Sequence, residues 1–312
     1  MMKTLILSIF IGLACSTGFP ENPRWKLDIE TPIPAHANLD VRWEDSTRFP
    51  RKVWIYRLTP NQFSPEIISN VMTLCSFTEK DKIEQNTNGL VFQSPDGSRK
   101  LSISFPSGEI HYKLPEPHYG PTNLAVGVPQ MSQLPDLATN VLRRLHIRFG
   151  DITGYFGTNK IEFSEPMLVY FVGKTFITNI TYRTVYFRKA ADGMPIVGNS
   201  CSFNVGEHGQ ISKLSITWPN LKRYKSFPTL KPQAIIQLLR QGRAVQEPVP
   251  MNVGYIDWSR VKGVTVKKVE ACYFAGDTDW LYPFLWLDTT VDTGNGTAEV
   301  AIDCPIIDET KP

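Results

Sequence analysis

The sequence predicts an α+β protein made of repeated helix-plus-antiparallel-meander modules, each sheet covered by one helix. Three stretches, FSPEIISNVMTLCSF, LPDLATNVLRRLHIRF and KPQAIIQLLRQGRA, carry apolar residues at helical spacing. After each stretch come short alternating runs broken by Pro, Gly, Asn and Asp, which is how strands joined by tight turns read. One helix ahead of each set of strands suits a two-layer packing. The chain of 312 residues is long enough for two domains, and its 42% hydrophobic and 20% charged content is that of a folded protein.

The first residues, MMKTLILSIFIGLACSTG, set the expected compartment. Lys3 begins a basic region and residues 5–14 form an apolar run. That run is far short of the roughly 20 residues that span a bilayer, and small residues follow it. Residues 1–16 therefore read as a secretory signal peptide, and no later segment approaches transmembrane length. The protein is expected to be secreted or held in the cell envelope. Cleavage directly before Cys15 would leave an acylated cysteine at the N-terminus, and a plain cleavage near Ala14 or Ser16 is the alternative. The net charge of +3 is spread along the chain, which argues against a nucleic-acid partner.

In an oxidising compartment Cys75, Cys201, Cys272 and Cys304 would form up to two disulfides, with three connectivities open. No Cys-x-x-Cys pair or Cys/His cluster suggests a metal. Asn179 and Asn295 each begin an Asn-x-Thr sequon, a glycosylation acceptor if the host modifies its exports.

The first module covers residues 17–120. Residues 52–58 alternate like a strand. In the helix that follows, Ser64 caps, Pro65 suits the first position and Glu66 favours the positive end of the dipole. Phe63 and Ile68 stand where a hydrophobic staple forms, and Ile67, Ile68, Val71, Met72 and Cys75 line one face. The strands LVFQ, LSISF and EIHYKL come next. The Pro-rich residues 114–123, LPEPHYGPTN, mark a domain boundary.

The second unit covers residues 121–312. Its first helix aligns Leu134, Leu137, Ala138, Val141, Leu142 and Leu145, with Gly150 as the stop. Strands are expected at KIEFS, TFITNITYRTVYFRKA, CSFNV and QISKLSITW. The last helix ends at Gly242, ahead of VTVKKVEACYFA, YPFLWLDTTV and TAEVAIDC.

Within this unit Asp192-Gly193 reads as a tight hairpin turn, followed by Met194-Pro195-Ile196-Val197-Gly198. A strand, the turn Gly206-Glu207-His208-Gly209, and then Ile211 and Leu214 complete the pattern. These residues resemble the PepSY and fungalysin/thermolysin-propeptide group of extracytoplasmic domains, and the YycH/YycI-type regulatory proteins of bacterial envelopes. The resemblance covers about 45 residues, with weaker echoes toward the C-terminus, and makes residues 121–312 a PepSY-like module pair. It implies inhibition, chaperoning or regulation of enzymes and receptors outside the membrane. No metalloprotease segment follows, and no membrane span precedes, so a stand-alone exported module is expected.

Val291-Asp292-Thr293-Gly294 spells the catalytic tripeptide of aspartic proteases. Such an enzyme needs two aspartates sharing a proton, and only one Asp-Thr-Gly is present. Thr293-Gly294-Asn295-Gly296 between apolar strands is instead a hairpin signal. Asp277 and Asp279 lack the spacing of a calcium loop. His36, His111, His118, His146 and His208 fall in no metal-binding or catalytic spacing. Ser107 lacks the Gly-x-Ser-x-Gly elbow.

Seven tryptophans suit a β-rich core. Trp280, beside Asp277 and Asp279, is the candidate ligand contact. The expected function is that of a non-catalytic binding or regulatory protein acting on an exported or envelope protein. The alternative is a structural or glycan- or small-molecule-binding lipoprotein, with a hydrolase third. No cofactor is expected, and a membrane would be reached only through a lipid on Cys15.

Overall fold

The computed structural model describes residues 31–46, 49–115, 117–154, 159–172, 174–247, 256–275 and 279–307. The expected signal peptide, Cys15 and Asp277 lie outside them.

The chain begins with β1 (Thr31–Pro32), β2 (Asp40–Trp43), β3 (Lys52–Thr59) and helix α1 (Pro65–Leu74). A meander follows: β4 (Lys82–Asn86), β5 (Gly89–Gln93), β6 (Lys100–Ser104) and β7 (Glu109–Lys113). Helix α2 (Leu134–Arg144) leads to β8 (Ile152–Thr153), β9 (Ile161–Ser164) and the hairpin of β10 (Met167–Val172) and β11 (Thr175–Ile180). Next come β12 (Arg183–Ala191), β13 (Met194–Val205), β14 (Ile211–Thr217) and β15 (Asn220–Pro228). Helix α3 (Pro232–Arg240) precedes β16 (Val245–Gln246), β17 (Gly263–Ala275), β18 (Trp280–Asp292) and β19 (Thr297–Pro305).

This architecture corrects the expected fold class. Strands take 50% and helices 18%, and 17 strands join one hydrogen-bonded sheet, so the three helices do not each cover a sheet of their own. The physical cause is pairing between strand edges. Strand β7 pairs antiparallel with β14, placing Tyr112 opposite Leu214, and so welds the first meander to β12–β14. An unpaired edge is a liability that pairing removes. Local hydrophobic alternation marks a strand but says nothing of which distant edge it meets.

In the welded part, β4 to β7 continue through β14 and β13 to β12, all antiparallel. One buried row, Phe92, Leu101, Tyr112, Leu214, Phe203 and Val185, crosses six strands. Both α1 and α2 pack on this face, burying Val71, Met72, Cys75, Ala138, Val141, Leu142 and Leu145 against it. The opposite face carries Ser102, His111, Lys113, Lys213 and Ser215.

Strand β13 then crosses into a second core. Its first residues run parallel to β17, with Ile196 opposite Tyr273, and Gly198 at φ 88° marks the passage. Strands β17, β18 and β19 form a long meander. Strand β2 adds parallel to β17, and β3 joins β18 to β15. Helix α3 buries Ile235, Leu238 and Leu239 against this part. Each core takes residues from both sides of residue 120.

The helices start and stop for local reasons. Ser64 Oγ accepts the Ile67 N–H at 3.3 Å, and Pro65 opens α1. All three helices end on a left-handed residue: Ser76 at φ 56°, His146 at φ 56° and Gly242 at φ 71°. In each, the next N–H returns to a carbonyl five residues back, from Phe77 to Met72, Ile147 to Leu142 and Arg243 to Leu238. Helix α2 therefore stops at Arg144, ahead of the expected stop at Gly150.

The disulfide expectation is also corrected. Cys75, Cys201, Cys272 and Cys304 are all buried free thiols. Cys272 lies opposite Phe284, while Cys304 lies opposite the next residue, Leu285. Side chains alternate faces along a strand, so these two thiols point to opposite sides of the sheet. Cys75 ends α1, whereas Cys201 sits on β13 within reach of the Thr217 carbonyl at 3.5 Å. Burial pushes the thiols of Cys75 and Cys201 up to about 12, which keeps them protonated and unreactive.

Candidate functional site

A groove of about 470 Å³ lies at the foot of the β10–β11 hairpin. Its floor is the helix-free face of the sheet at Lys113, Asn204 and Lys213. One wall is the Pro-rich stretch with Pro115, Pro117 and Tyr119, and the other is the hairpin foot with Met167 and Leu168. Prolines suit a wall that runs beside a sheet without pairing to it, since they carry no N–H to satisfy.

Named contacts hold the walls in place. The Ala125 N–H donates to Asn179 Oδ1 at 3.0 Å, and the Val126 N–H to Glu207 Oε1 at 2.7 Å. Arg183, at the start of β12, pairs with Glu165 Oε2 at 2.6 Å and also donates to the Pro129 carbonyl. Burial first, and then the Glu207 carboxylate, raise the Tyr119 phenol above its ordinary range, so it stays a donor.

The register supplies the electrostatics of the floor. Lys100 is opposite Lys113, and Lys113 is opposite Lys213. Three exposed lysines therefore lie side by side across β6, β7 and β14.

The hairpin carries Met167, Val169, Phe171 and Phe176 on one face, with Phe171 opposite Phe176 and their rings 4.7 Å apart. All four are exposed, Phe171 by 74%. Neither strand contains a charged residue.

The residues singled out from the sequence fall elsewhere. Asp279 and Trp280 stand together at the junction between the two parts, beside a cleft of about 400 Å³ lined by Arg57, Ser107, Glu109 and Asp279. The Arg57 guanidinium lies over the Trp280 ring at 5.9 Å, and the exposed Tyr224 meets that ring edge-on at 4.9 Å. Asp292 is spent on its own turn, where Oδ1 accepts the Gly294 N–H at 2.8 Å. Asn179 is only 3% exposed and holds Ala125, so as folded it is no acceptor for a glycan. Asn295 is exposed in the β18–β19 turn.

Three constellations escaped the sequence reading. Ser215 Oγ is 3.3 Å from His111 Nδ1, and His111 Nε2 is 3.8 Å from Glu109 Oε2, on the open sheet face. The neighbouring backbone N–H groups serve the ladder, so none is free to stabilise an oxyanion there. Tyr56, Asp192 and Arg223 form a tight cluster where the two parts meet. Lys189 is buried against the Trp218 ring. Tyr56, Asp192 and Arg223 lie 31 to 167 positions apart in the chain. The hairpin had a signal of its own, because MLVYFV is an unbroken apolar hexapeptide beside a Gly-Lys turn.

No known family profile matches the chain, and no curated protein does. Two solved structures are similar. One is an uncharacterized protein from Eubacterium rectale ATCC 33656, with TM-score 0.47, 11% identity, and coverage of 85% of this chain and 86% of that one. The other is the C-terminal domain of YpeB from Bacillus megaterium, with TM-score 0.32, 11% identity, and coverage of 77% of this chain and 99% of that domain.

Proposed function

We propose that the chain is an exported, non-catalytic binding protein that regulates an envelope or secreted protein by holding an extended segment of it in the groove beneath the hairpin. The observation that carries this reading is the groove itself. It has a polar, hydrogen-bonding floor, apolar walls and a row of lysines along one end. Such a lining suits a peptide with alternating apolar residues and an acidic group, taken up beside a sheet. The PepSY-like residues between Asp192 and Leu214 support the same kind of role, and residues 1–16 support export.

A photocrosslinking residue in place of Tyr182, in the native host, should recover one exported protein repeatedly. Lys213→Glu should abolish that capture while leaving the urea midpoint unchanged. Capture that persists in Lys213→Glu would remove the groove from the reading.

A second reading has its own observation. Arg57 and Asp279 line a cleft, and next to it the Arg57 guanidinium covers the Trp280 ring that the exposed Tyr224 meets edge-on, a grouping that suits a glycan or small molecule on an envelope lipoprotein anchored through Cys15. In that case Tyr224→Ala would lose glycan binding, with acylated Cys15 as the only link to the membrane.

A further inference from the structure

We propose that the β10–β11 hairpin is a dimerisation arm whose partner is a second copy of this chain, joined edge to edge through β10. An isolated two-stranded ribbon is marginally stable in water, and three or more strands are needed for a sheet to hold. Among the described residues β10 pairs with β11 and no other strand. Two copies meeting along β10 make a four-stranded antiparallel sheet and supply what each hairpin lacks.

The sequence of β10 is compatible with its own copy. Antiparallel pairing about a two-fold axis sets Tyr170 against Tyr170, Val169 against Phe171 and Leu168 against Val172 of the second chain, each pair on one face of the sheet. Every pair is apolar, and pairs of aromatic and β-branched residues are the favourable kind. No charge in either strand opposes its own copy.

The contrast with β15 is informative. Among the described residues that strand pairs with β3 alone, and it exposes Lys222 and Arg223, the device that keeps an edge from recruiting another strand. No such device protects β10.

The pairing strand brings its own apolar surface. On β10, Met167, Leu168, Val169, Phe171 and Val172 are 46% to 74% exposed, and pairing along this edge covers a flank of each. A lipid surface fits less well, because Lys174 occupies the turn at the tip, where an inserted hairpin would reach deepest.

Sedimentation equilibrium of the purified protein tests the proposal. A dimer at micromolar concentration is expected, and Val169→Lys and Phe171→Asp should each give a monomer with an unchanged urea midpoint. Both side chains face solvent, so neither change should impair folding. A wild-type protein that stays monomeric overturns the proposal, as does a dimer that survives both substitutions. Monomeric protein that sediments with phosphatidylglycerol vesicles, lost in Phe171→Asp, would overturn it in favour of a membrane contact.

Discussion

Tyr56 and Lys189 show how single residues here carry opposite pH signatures. Asp192 holds a left-handed backbone at φ 51°, accepts the Tyr56 hydroxyl at 2.5 Å and pairs with Arg223 at 2.6 Å. Burial first, and then the Asp192 hydrogen bond, raise the Tyr56 phenol to about 12 from 10.0. Its stabilising contribution is full below pH 10 and is lost as pH rises toward 12, because the native state there binds more protons than the unfolded chain. Lys189 behaves in the other sense. Desolvation lowers it to about 8 from 10.5, although it donates to the Pro219 carbonyl and sits 4.8 Å from the Trp218 ring. Below pH 8 the charged form is a cost, and stability should rise as pH increases from 8 to 10.5. Urea unfolding across pH 7 to 12 should therefore show a rise followed by a fall. Lys189→Met should flatten the rise, and Tyr56→Phe should reduce the fall, which the raised thiols of Cys75 and Cys201 share. A rise that survives Lys189→Met would assign it to another group.

At the scale of elements, the helix ends separate local from distant causes. Ser76 and Gly242 occupy the same left-handed position after their helices. A side chain there costs about 1 kcal/mol relative to glycine, so Ser76→Gly should stabilise by about that amount. At Gly242 an added Cβ would lie 2.7 Å from the Ala35 N and 2.9 Å from the Ile33 O. Gly242→Ala should therefore cost more than the conformational penalty alone, about 2 kcal/mol or above. Denaturant midpoints at constant m-value check both, and equal effects of opposite sign would discard the steric part.

These elements also mark how far sequence reading reaches. Ser64, Pro65 and the apolar face of α1 announced that helix, since caps and periodicity act within a few residues. The pairing of β7 with β14 did not show, nor did the row Lys100, Lys113 and Lys213, because register between distant strands leaves no local mark. The same limit hid the groove, whose lysines lie 100 positions apart. Trp280 and Asp279 were picked out as candidate ligand contacts, and Asp279 lines a cleft. The sequence showed their proximity in the chain but not the Arg57 that faces them. The cysteines failed for a different reason: the expectation of export favoured pairing, but strand alternation places Cys272 and Cys304 on opposite faces.

At the scale of the whole molecule the question is whether two cores unfold as one. Strand β13 belongs to both, with Met194 and Ile196 buried in the α3 core and Cys201, Phe203 and Val205 in the core under α1 and α2. The Tyr56–Asp192–Arg223 cluster ties the β12–β13 turn to β3 and β15 a short distance from that crossing. A continuous strand and a part-buried polar cluster at one junction make partial opening expensive, because either core would have to release its share of β13. A single calorimetric transition is expected, with van't Hoff and calorimetric enthalpies equal. The buried thiols give a site-resolved version of the same test: Cys75 and Cys201 report on the first core, and Cys272 and Cys304 on the second part. In the wild-type protein all four should become reactive over one range of denaturant. In the double variant Tyr56→Phe/Arg223→Ala the cluster is gone while β13 stays continuous. The two pairs of thiols should then separate into two ranges. If they already separate in the wild-type protein, the junction does not couple the cores, and the shared strand is a covalent link without an energetic one.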